Sequence, residues 1–287
     1  MQPVEVQERP QKRQSLQSLA QREVRLLVLD IDGTLAGPSN QVSEPVRRAI
    51  QRAKAAGVRV AIATGRMHRS AERFHYAIGA DMPLCSYQGA LIRDPKSQKT
   101  FKHWRLDWAL TEELLQVLQD LPVGVHLYID DQLYVRELSP LSRAYAERSQ
   151  VPFQILSPAQ YGQRPTKILV VSEDTEFLQE LQGSLRQRYS PEQLYLTRSE
   201  PIFLEATHPA VNKGNAVRFL AEELLGLSAE QVMAIGDGDN DIEMLRYAGI
   251  GVAMGNASPA LLPYADWVAP PVTEDGVAVA IETFILT

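Results

Sequence analysis

Val24-Arg25-Leu26-Leu27-Val28-Leu29 runs straight into Asp30-Ile31-Asp32-Gly33-Thr34-Leu35. The first six residues are an almost unbroken apolar run. Such a run suits a strand buried on both faces of a parallel sheet. Side chains two apart on an extended chain point the same way, so Asp30 and Asp32 converge beyond the carboxyl end of that strand. Ligands bind at that end in open α/β sheets. Gly33 lets the chain turn sharply afterwards. Adjacent carboxylates repel, so the pair needs a cation or a shared proton. A polar turn after a strand would explain Asp-Gly alone. It does not explain two aspartates, Gly, Thr and Leu in this order.

Outward from this point the pattern repeats. Ser43 reads as the N-cap of a helix with Pro45 just inside and Gly57 after its last turn. Val58–Ala63 is the next strand, Met67–Ile78 a helix stopping at Gly79, and Leu84–Tyr87 a short third strand. The rhythm returns late. Lys213–Leu225 reads as a helix, Val232–Ile235 as a strand, Asp239–Tyr247 as a helix, and Ile250–Ala253 and Trp267–Val268 as strands. Asp275–Ile285 is a closing helix. Alternating strands and helices predict right-handed crossovers and a parallel sheet.

The middle reads differently. Leu91–Trp104 predicts a hairpin around Asp94-Pro95-Lys96-Ser97, and Val125–Ile129 and Leu133–Arg136 flank a second turn at Asp130-Asp131. Helices are expected at Thr111–Leu121, Leu141–Ser149 and Thr175–Tyr189, and strands at Lys167–Ser172 and Leu194–Thr197. Helices with antiparallel pairs predict an inserted α+β domain. The expected division is a flexible tail over 1–23 with a helical stretch from Ser15 to Glu23, a discontinuous core at 24–90 and 201–287, and an insert at 91–200.

Composition removes several function classes. Lys+Arg is 29 against Asp+Glu 35 in 287 residues, so no basic excess exists to hold a nucleic-acid backbone. The single cysteine, Cys85, excludes an internal disulfide framework and a multi-cysteine zinc site. No apolar run approaches the roughly 20 residues that span a bilayer. The first 23 residues hold six glutamines and no apolar stretch of secretory type, so the expected compartment is the cytoplasm.

Three further places carry chemistry. Thr64-Gly65-Arg66 follows the second strand, where a hydroxyl and helix-opening amides could hold a phosphate oxygen; a Thr N-cap explains it equally well. Lys213 opens a helix, where a cation opposes the macrodipole; a lone Lys there is usually a solvated surface group. Gly236-Asp237-Gly238-Asp239-Asn240-Asp241 sets three aspartates at a strand end, with the spacing from Asp237 to Asp241 suited to hard oxygen ligation of Mg²⁺. An EF-hand would need Gly at 242 and Glu at 248, where the chain has Ile242 and Ala248. Gly249-Ile250-Gly251 starts a dinucleotide fingerprint that Met254 breaks, and no P-loop or nucleophile-elbow serine motif occurs.

Asp30-Ile31-Asp32-Gly33-Thr34-Leu35 resembles the nucleophile motif of the haloacid dehalogenase superfamily, D-x-D-G-T-L. The other three places stand in that family's order. The long insert and Gly236-Asp237-Gly238-x-Asn240-Asp241 resemble its Cof-type branch with a C2 cap, as does Met254-Gly255-Asn256-Ala257. Two positions depart from the branch: Gln88-Gly89-Ala90 stands where Asn-Gly-Ala is usual, and Asn212 precedes Lys213 where Ser is usual.

The resemblance implies a Rossmann-like parallel-sheet core, an inserted α+β cap domain, and a Mg²⁺-dependent phosphatase acting on a small phosphorylated metabolite, a sugar phosphate first. It implies Asp30 as nucleophile forming an aspartyl-phosphate and Asp32 as acid and base. Mg²⁺ would stand between the Asp30 carboxylate, the Asp32 carbonyl and Asp237, with Asp241 either completing the set or orienting a metal water or Lys213. Thr64 and Lys213 would bind phosphate oxygens, and Gly33, Thr34, Gly65, Arg66, Gln88, Gly89 and Asn240 would bind substrate or phosphate, with Gln88 placed to read a substrate hydroxyl or merely to hold its turn. Alternatives are a phosphomutase on the same fold and a catalytically silent binding protein. His126, Tyr128, Asp131 and Tyr134 are candidate contacts from the cap, each equally explicable as a hairpin residue.

Overall fold

A computed structural model describes residues 15–286. Of the tail expected over 1–23, residues 1–14 lie outside the described residues. Ser15 caps a short helix, Leu16–Ala20, in the helical stretch expected there.

In chain order the strands are β1 (Leu26–Leu29), β2 (Arg59–Ile62), β3 (Leu84–Ser86), β4 (Leu91–Arg93), β5 (Thr100–His103), β6 (Gly124–Ile129) and β7 (Gln132–Val135). There follow β8 (Phe153–Ile155), β9 (Lys167–Val171), β10 (Tyr195–Thr197), β11 (Phe203–Thr207), β12 (Val232–Gly236), β13 (Ile250–Ala253) and β14 (Trp267–Val268). One sheet runs in the order β14-β13-β12-β1-β2 and is parallel throughout. From β1 the chain moves to β2 on one side and reaches β12 on the other only after the long insert. β1 is therefore the topological switch point, where a crevice opens beyond the strand ends.

The two faces of β1 explain its unbroken apolar run. Leu27 and Leu29 pack with the helices Glu44–Ala55, His68–Ile78 and Gly276–Phe284. Leu26 and Val28 pack with Lys213–Arg218, its π-helical continuation Phe219–Leu225, and Ile242–Tyr247. Burial on both faces is what a doubly wound sheet demands.

The second large sheet has the order β10-β11-β9-β6-β7-β8 and is antiparallel except for the β7–β8 pair. Its face bearing Leu127, Ile168 and Val170 is covered by the helices Trp108–Val117 and Thr175–Arg188. Its other face carries Tyr128, Leu169 and Phe203 toward Tyr87 and Val211 of the parallel-sheet half. The inserted layer is thus seated over the carboxyl ends of the parallel strands.

Sheet membership departs from the expected boundaries at 91 and 200. The β4–β5 hairpin pairs with β3, which itself joins the parallel sheet through a parallel bridge between Ala63 and Cys85. The hairpin therefore belongs beside the core. Conversely β11 is a central strand of the inserted sheet, pairing with β9 and β10, although it lies beyond residue 200. Local patterning finds strands; only partner choice assigns them to a layer. By sheet membership we propose that the insert begins after His103 and ends after Thr207.

The four candidate cap contacts have structural work here. His126 is fully buried, with Nε2 against Ser142 Oγ at 2.8 Å, and Tyr128 bonds the Tyr145 hydroxyl at 2.6 Å. Tyr134 packs against the helix-covered face. Asp131 accepts the Tyr87 hydroxyl at 2.7 Å and the amides of His68 and Arg69 at 3.1 Å each. It thereby caps a helix whose own N-cap, Met67, has no capping side chain.

His126 has a consequence for acid stability. Burial, aided by the Lys167 charge, pushes its imidazole down to about 4. A folded-state value below the unfolded 6.5 gives stability that is complete above 6.5 and lost as pH falls toward 4. The full effect is about 3 kcal/mol. Urea unfolding at pH 7 and pH 5 should show a smaller acid loss for His126→Gln than for the wild type, by about 2 kcal/mol. Equal losses would show that His126 is not a site of acid weakening.

Candidate active site

Three neighbouring parallel strands deliver the site. Leu29 is in register with Ile62 of β2 and Ile235 of β12, so Asp30, Thr64 and Asp237 emerge side by side from their ends. Gly33 turns the chain at a φ of +77°, and a Cβ there would stand 2.0 Å from Asp237 Oδ2. The close approach of the two loops therefore requires glycine. Thr34 Oγ1 donates to Asp237 Oδ1 at 2.9 Å.

Lys213 is 1% exposed, and its Nζ donates to Asp30 Oδ1 at 2.6 Å and to Asp241 Oδ1. The expected conflict of a cation with its helix dipole is thus outweighed by two carboxylates. Burial opposes its charge, but Asp241 and Asp30 hold its pKa above the usual lysine value. Asn212, the departure from the usual Ser, caps the same helix by accepting the Asn215 amide at 2.7 Å. Asp241 spends its other oxygen on the amides of Asp237 and Gly238, each at 2.9 Å. Both of its oxygens are engaged, so it braces the loop and Lys213.

Asp30, Asp237 and Asp241 each turn a carboxylate oxygen to within 4.8 Å of the others. Burial is the largest cause raising Asp30 to about 7; Lys213 opposes it, and Asp241 and Asp32 add to it. Burial likewise raises Asp237 to about 8, with Asp30 and Asp241 adding repulsion. Three buried carboxylates around one lysine carry surplus negative charge. A hard divalent cation would relieve it, so the donor set fits Mg²⁺. Asp30 and Asp237 are the carboxylates that would hold it.

The Asp32 side chain turns away from this cluster. Arg66 grips it with Nε to Oδ2 at 2.7 Å and Nη2 to Oδ1 at 2.6 Å, and Arg148 reaches Oδ1 at 3.5 Å. Burial works against its charge, but the Arg66 hydrogen bonds and the two guanidinium charges keep its pKa below the ordinary carboxylate value. Arg66 also donates to Asn40 Oδ1 at 2.8 Å, and Arg148 pairs with Glu200.

Thr64 is fully buried at the end of β2 and its hydroxyl accepts the Arg66 amide at 3.2 Å. Tyr87, Gln88 and Gly89 have successive φ values of 53°, 60° and 95°. Such a run in two non-glycine residues is a strained connection of the kind found beside functional sites. It turns Gln88 inward, where Oε1 accepts Asn240 Nδ2 at 3.0 Å and Nε2 donates to Glu205 Oε2 at 3.1 Å. Gly65 makes room for it: a Cβ there would stand 2.5 Å from Gln88 Nε2. Gly89 packs within 3.1 Å of the Asn212 carbonyl by the same measure, too close for a side chain to be comfortable.

All thirteen expected site residues therefore meet at one end of the parallel sheet, although Asp32 offers its side chain to arginines and not to the carboxylate cluster. A cavity of about 70 Å³ lies over Asp30, Asp32 and Asp237 and is roofed by Lys167, Leu169, Phe203 and Glu205. A wider one of about 530 Å³ adjoins it past Arg148 and Glu200. The sequence reading missed Arg148, Lys167, Glu200 and Glu205. Lys167 and Glu205 carried a signal, because each is a lone charge in an otherwise apolar strand. Arg148 and Glu200 carried none, since they read as ordinary surface charges.

Three comparisons bear on this site. The sequence profile of the haloacid dehalogenase-like hydrolases matches residues 27–281. YxeH of Bacillus subtilis, provisionally named a phosphatase, is 30% identical over 273 residues, which is 91% of this chain and 98% of that protein. The HMP-PP phosphatase of Cronobacter sakazakii is 31% identical over 239 residues, covering 83% of this chain and 86% of its own length. A crystal structure of a haloacid dehalogenase-like hydrolase from Bacteroides thetaiotaomicron superposes with a TM-score of 0.79 at 28% identity, over 91% of this chain and 99% of that one.

Proposed function

The chain belongs to the haloacid dehalogenase-like hydrolases and is a phosphatase of the Cof type, and on that premise we propose that it hydrolyses a small phosphorylated metabolite, a sugar phosphate first, through an aspartyl-phosphate on Asp30 with Mg²⁺ as cofactor. The observation that carries the reading is Lys213, buried between Asp30 and Asp241 with Asp237 alongside, at the switch point of the parallel sheet. A relative named for HMP-PP supports a small phosphorylated substrate.

Asp30 attacks phosphorus and the bond to the leaving oxygen breaks, which splits one hard displacement into two. Asp32 gives its proton to the leaving oxygen. It then takes a proton from the water that attacks the aspartyl-phosphate, releasing phosphate and restoring Asp30. The Arg66 grip keeps Asp32 as carboxylate, the form the second half needs. For the first half, the substrate phosphate must draw Arg66 away so that Asp32 can carry a proton. Lys213 orients the Asp30 oxygen and, with the Thr64 hydroxyl, offers donors to the phosphoryl oxygens. Asp30 and Asp237, joined by the Asp32 carbonyl, would hold Mg²⁺. When bound, the ion neutralises charge between nucleophile and phosphate dianion. The inserted sheet roofs the cavity over Asp30 with Lys167, Leu169, Phe203 and Glu205, which narrows the approach of bulk water from that side.

Among the described residues no helix is long and apolar enough to cross a membrane. The test is to incubate the purified chain and Mg²⁺ with a panel of phosphate monoesters and measure released phosphate. Phosphate release from at least one ester, lost on chelation, is the expected result. No release from any ester, or isomerisation without release in the presence of a bisphosphate, would overturn the reading.

A further inference from the structure

The inserted sheet presents four side chains to the cavity over Asp30: Lys167 and Leu169 from β9, and Phe203 and Glu205 from β11. The register puts Glu205 opposite Leu169 and Thr207 opposite Lys167, so the two charges stand diagonally on one face. Each is 2% exposed, and Lys167 Nζ lies 3.4 Å from Glu205 Oε1. Burying two charges is costly, and a role in packing alone is met equally well by apolar residues. Their neighbours on both strands are apolar, yet these two face the site.

We propose that Lys167 and Glu205 form a specificity-determining pair that reads a hydroxyl group of the leaving group; the proposal rests on the phosphatase reading above. The pair is built into the catalytic loops. Lys167 donates to the Gly65 carbonyl at 2.9 Å, beside Thr64, and its Nζ lies 5.0 Å over the Tyr128 ring. Glu205 accepts Gln88 Nε2 at 3.1 Å and the Ser199 hydroxyl at 2.5 Å. Through Gln88 the chain of bonds continues to Asn240 in the loop that carries Asp237. An ammonium has three donors and a carboxylate about four acceptor positions, so each partner keeps capacity for one more bond. The charges cancel, which disfavours a second charged group on the ligand. A hydroxyl both donates and accepts, and it can complete Glu205 and Lys167 at once. The substrate class is thus a phosphate ester whose leaving group carries hydroxyls beyond the ester oxygen.

The discriminating experiment compares kcat/KM of the wild type, Glu205→Gln, Lys167→Met and the double variant Lys167→Met/Glu205→Leu. The esters are polyol and sugar phosphates, their deoxy counterparts, and p-nitrophenyl phosphate. The double variant removes the pair together and leaves no unpaired buried charge, so it answers if a single variant misfolds. The wild type should prefer the hydroxylated esters. The variants should lose about 100-fold or more on these and under tenfold on p-nitrophenyl phosphate, because a site built around a hydroxyl rejects its absence strongly. Equal losses on all esters in the folded variants, or a wild type indifferent to hydroxyls, would overturn this inference and leave the phosphatase reading standing. A wild type silent on every ester would overturn both.

Discussion

Asp30→Asn should lower turnover by at least about 10⁴-fold while the protein stays folded. The amide is nearly the shape of the carboxylate but is a poor nucleophile, so the first displacement has no attacking group. Stability should survive for an electrostatic reason. Asp30 is buried beside Asp237 and Asp241, and its pKa near 7 records how poorly its charge is tolerated. Neutralising it removes that repulsion, at the loss of one partner for Lys213, which keeps Asp241. Steady-state phosphate release together with thermal melting decides the matter, with mass spectrometry to exclude deamidation back to Asp. A melting temperature near that of the wild type with near-normal turnover would remove Asp30 as nucleophile.

Removing the divalent ion should have an effect of similar size. Wild-type protein in EDTA should lose activity and regain it with Mg²⁺. Adding Mg²⁺ should also raise the melting temperature, because an ion that binds only the folded state stabilises it. In Asp237→Ala both responses should be weakened strongly. Asp237 is aimed by Thr34 and packed against Gly33, and Asp241 cannot replace it while committed to Lys213 and two amides. Calcium should inhibit, since it takes more ligands in looser geometry than Mg²⁺. Full activity in EDTA with no metal found by elemental analysis, or an unchanged Mg²⁺ melting response in Asp237→Ala, would rule out this assignment.

Much of the molecule is legible along the chain because its signals are local. Leu26–Leu29 is apolar on both faces because both faces are covered, and that alone predicts a parallel strand. Ser43, Gly79 and Asn212 mark helix ends through their own side chains or backbone freedom. Asp30, Asp32, Thr64, Lys213, Asp237 and Asp241 each sit at a strand end or helix start, and strand ends in a parallel sheet converge by construction. Which partner takes the Asp32 side chain was not legible. It depends on Arg66, whose side chain returns across a loop to take the carboxylate.

The amino-acid sequence by itself determined the doubly wound core, the presence of an insert, and the candidate site residues, because each depends on spacing within a few residues. Tertiary structure alone decided that β11 joins the inserted sheet, that the β4–β5 hairpin stays with the core, and that Lys167, Glu205, Arg148 and Glu200 meet the site. These outcomes depend on hydrogen-bond partners and facing surfaces far apart in the chain. A strand's alternation says that one face is covered and never says by what.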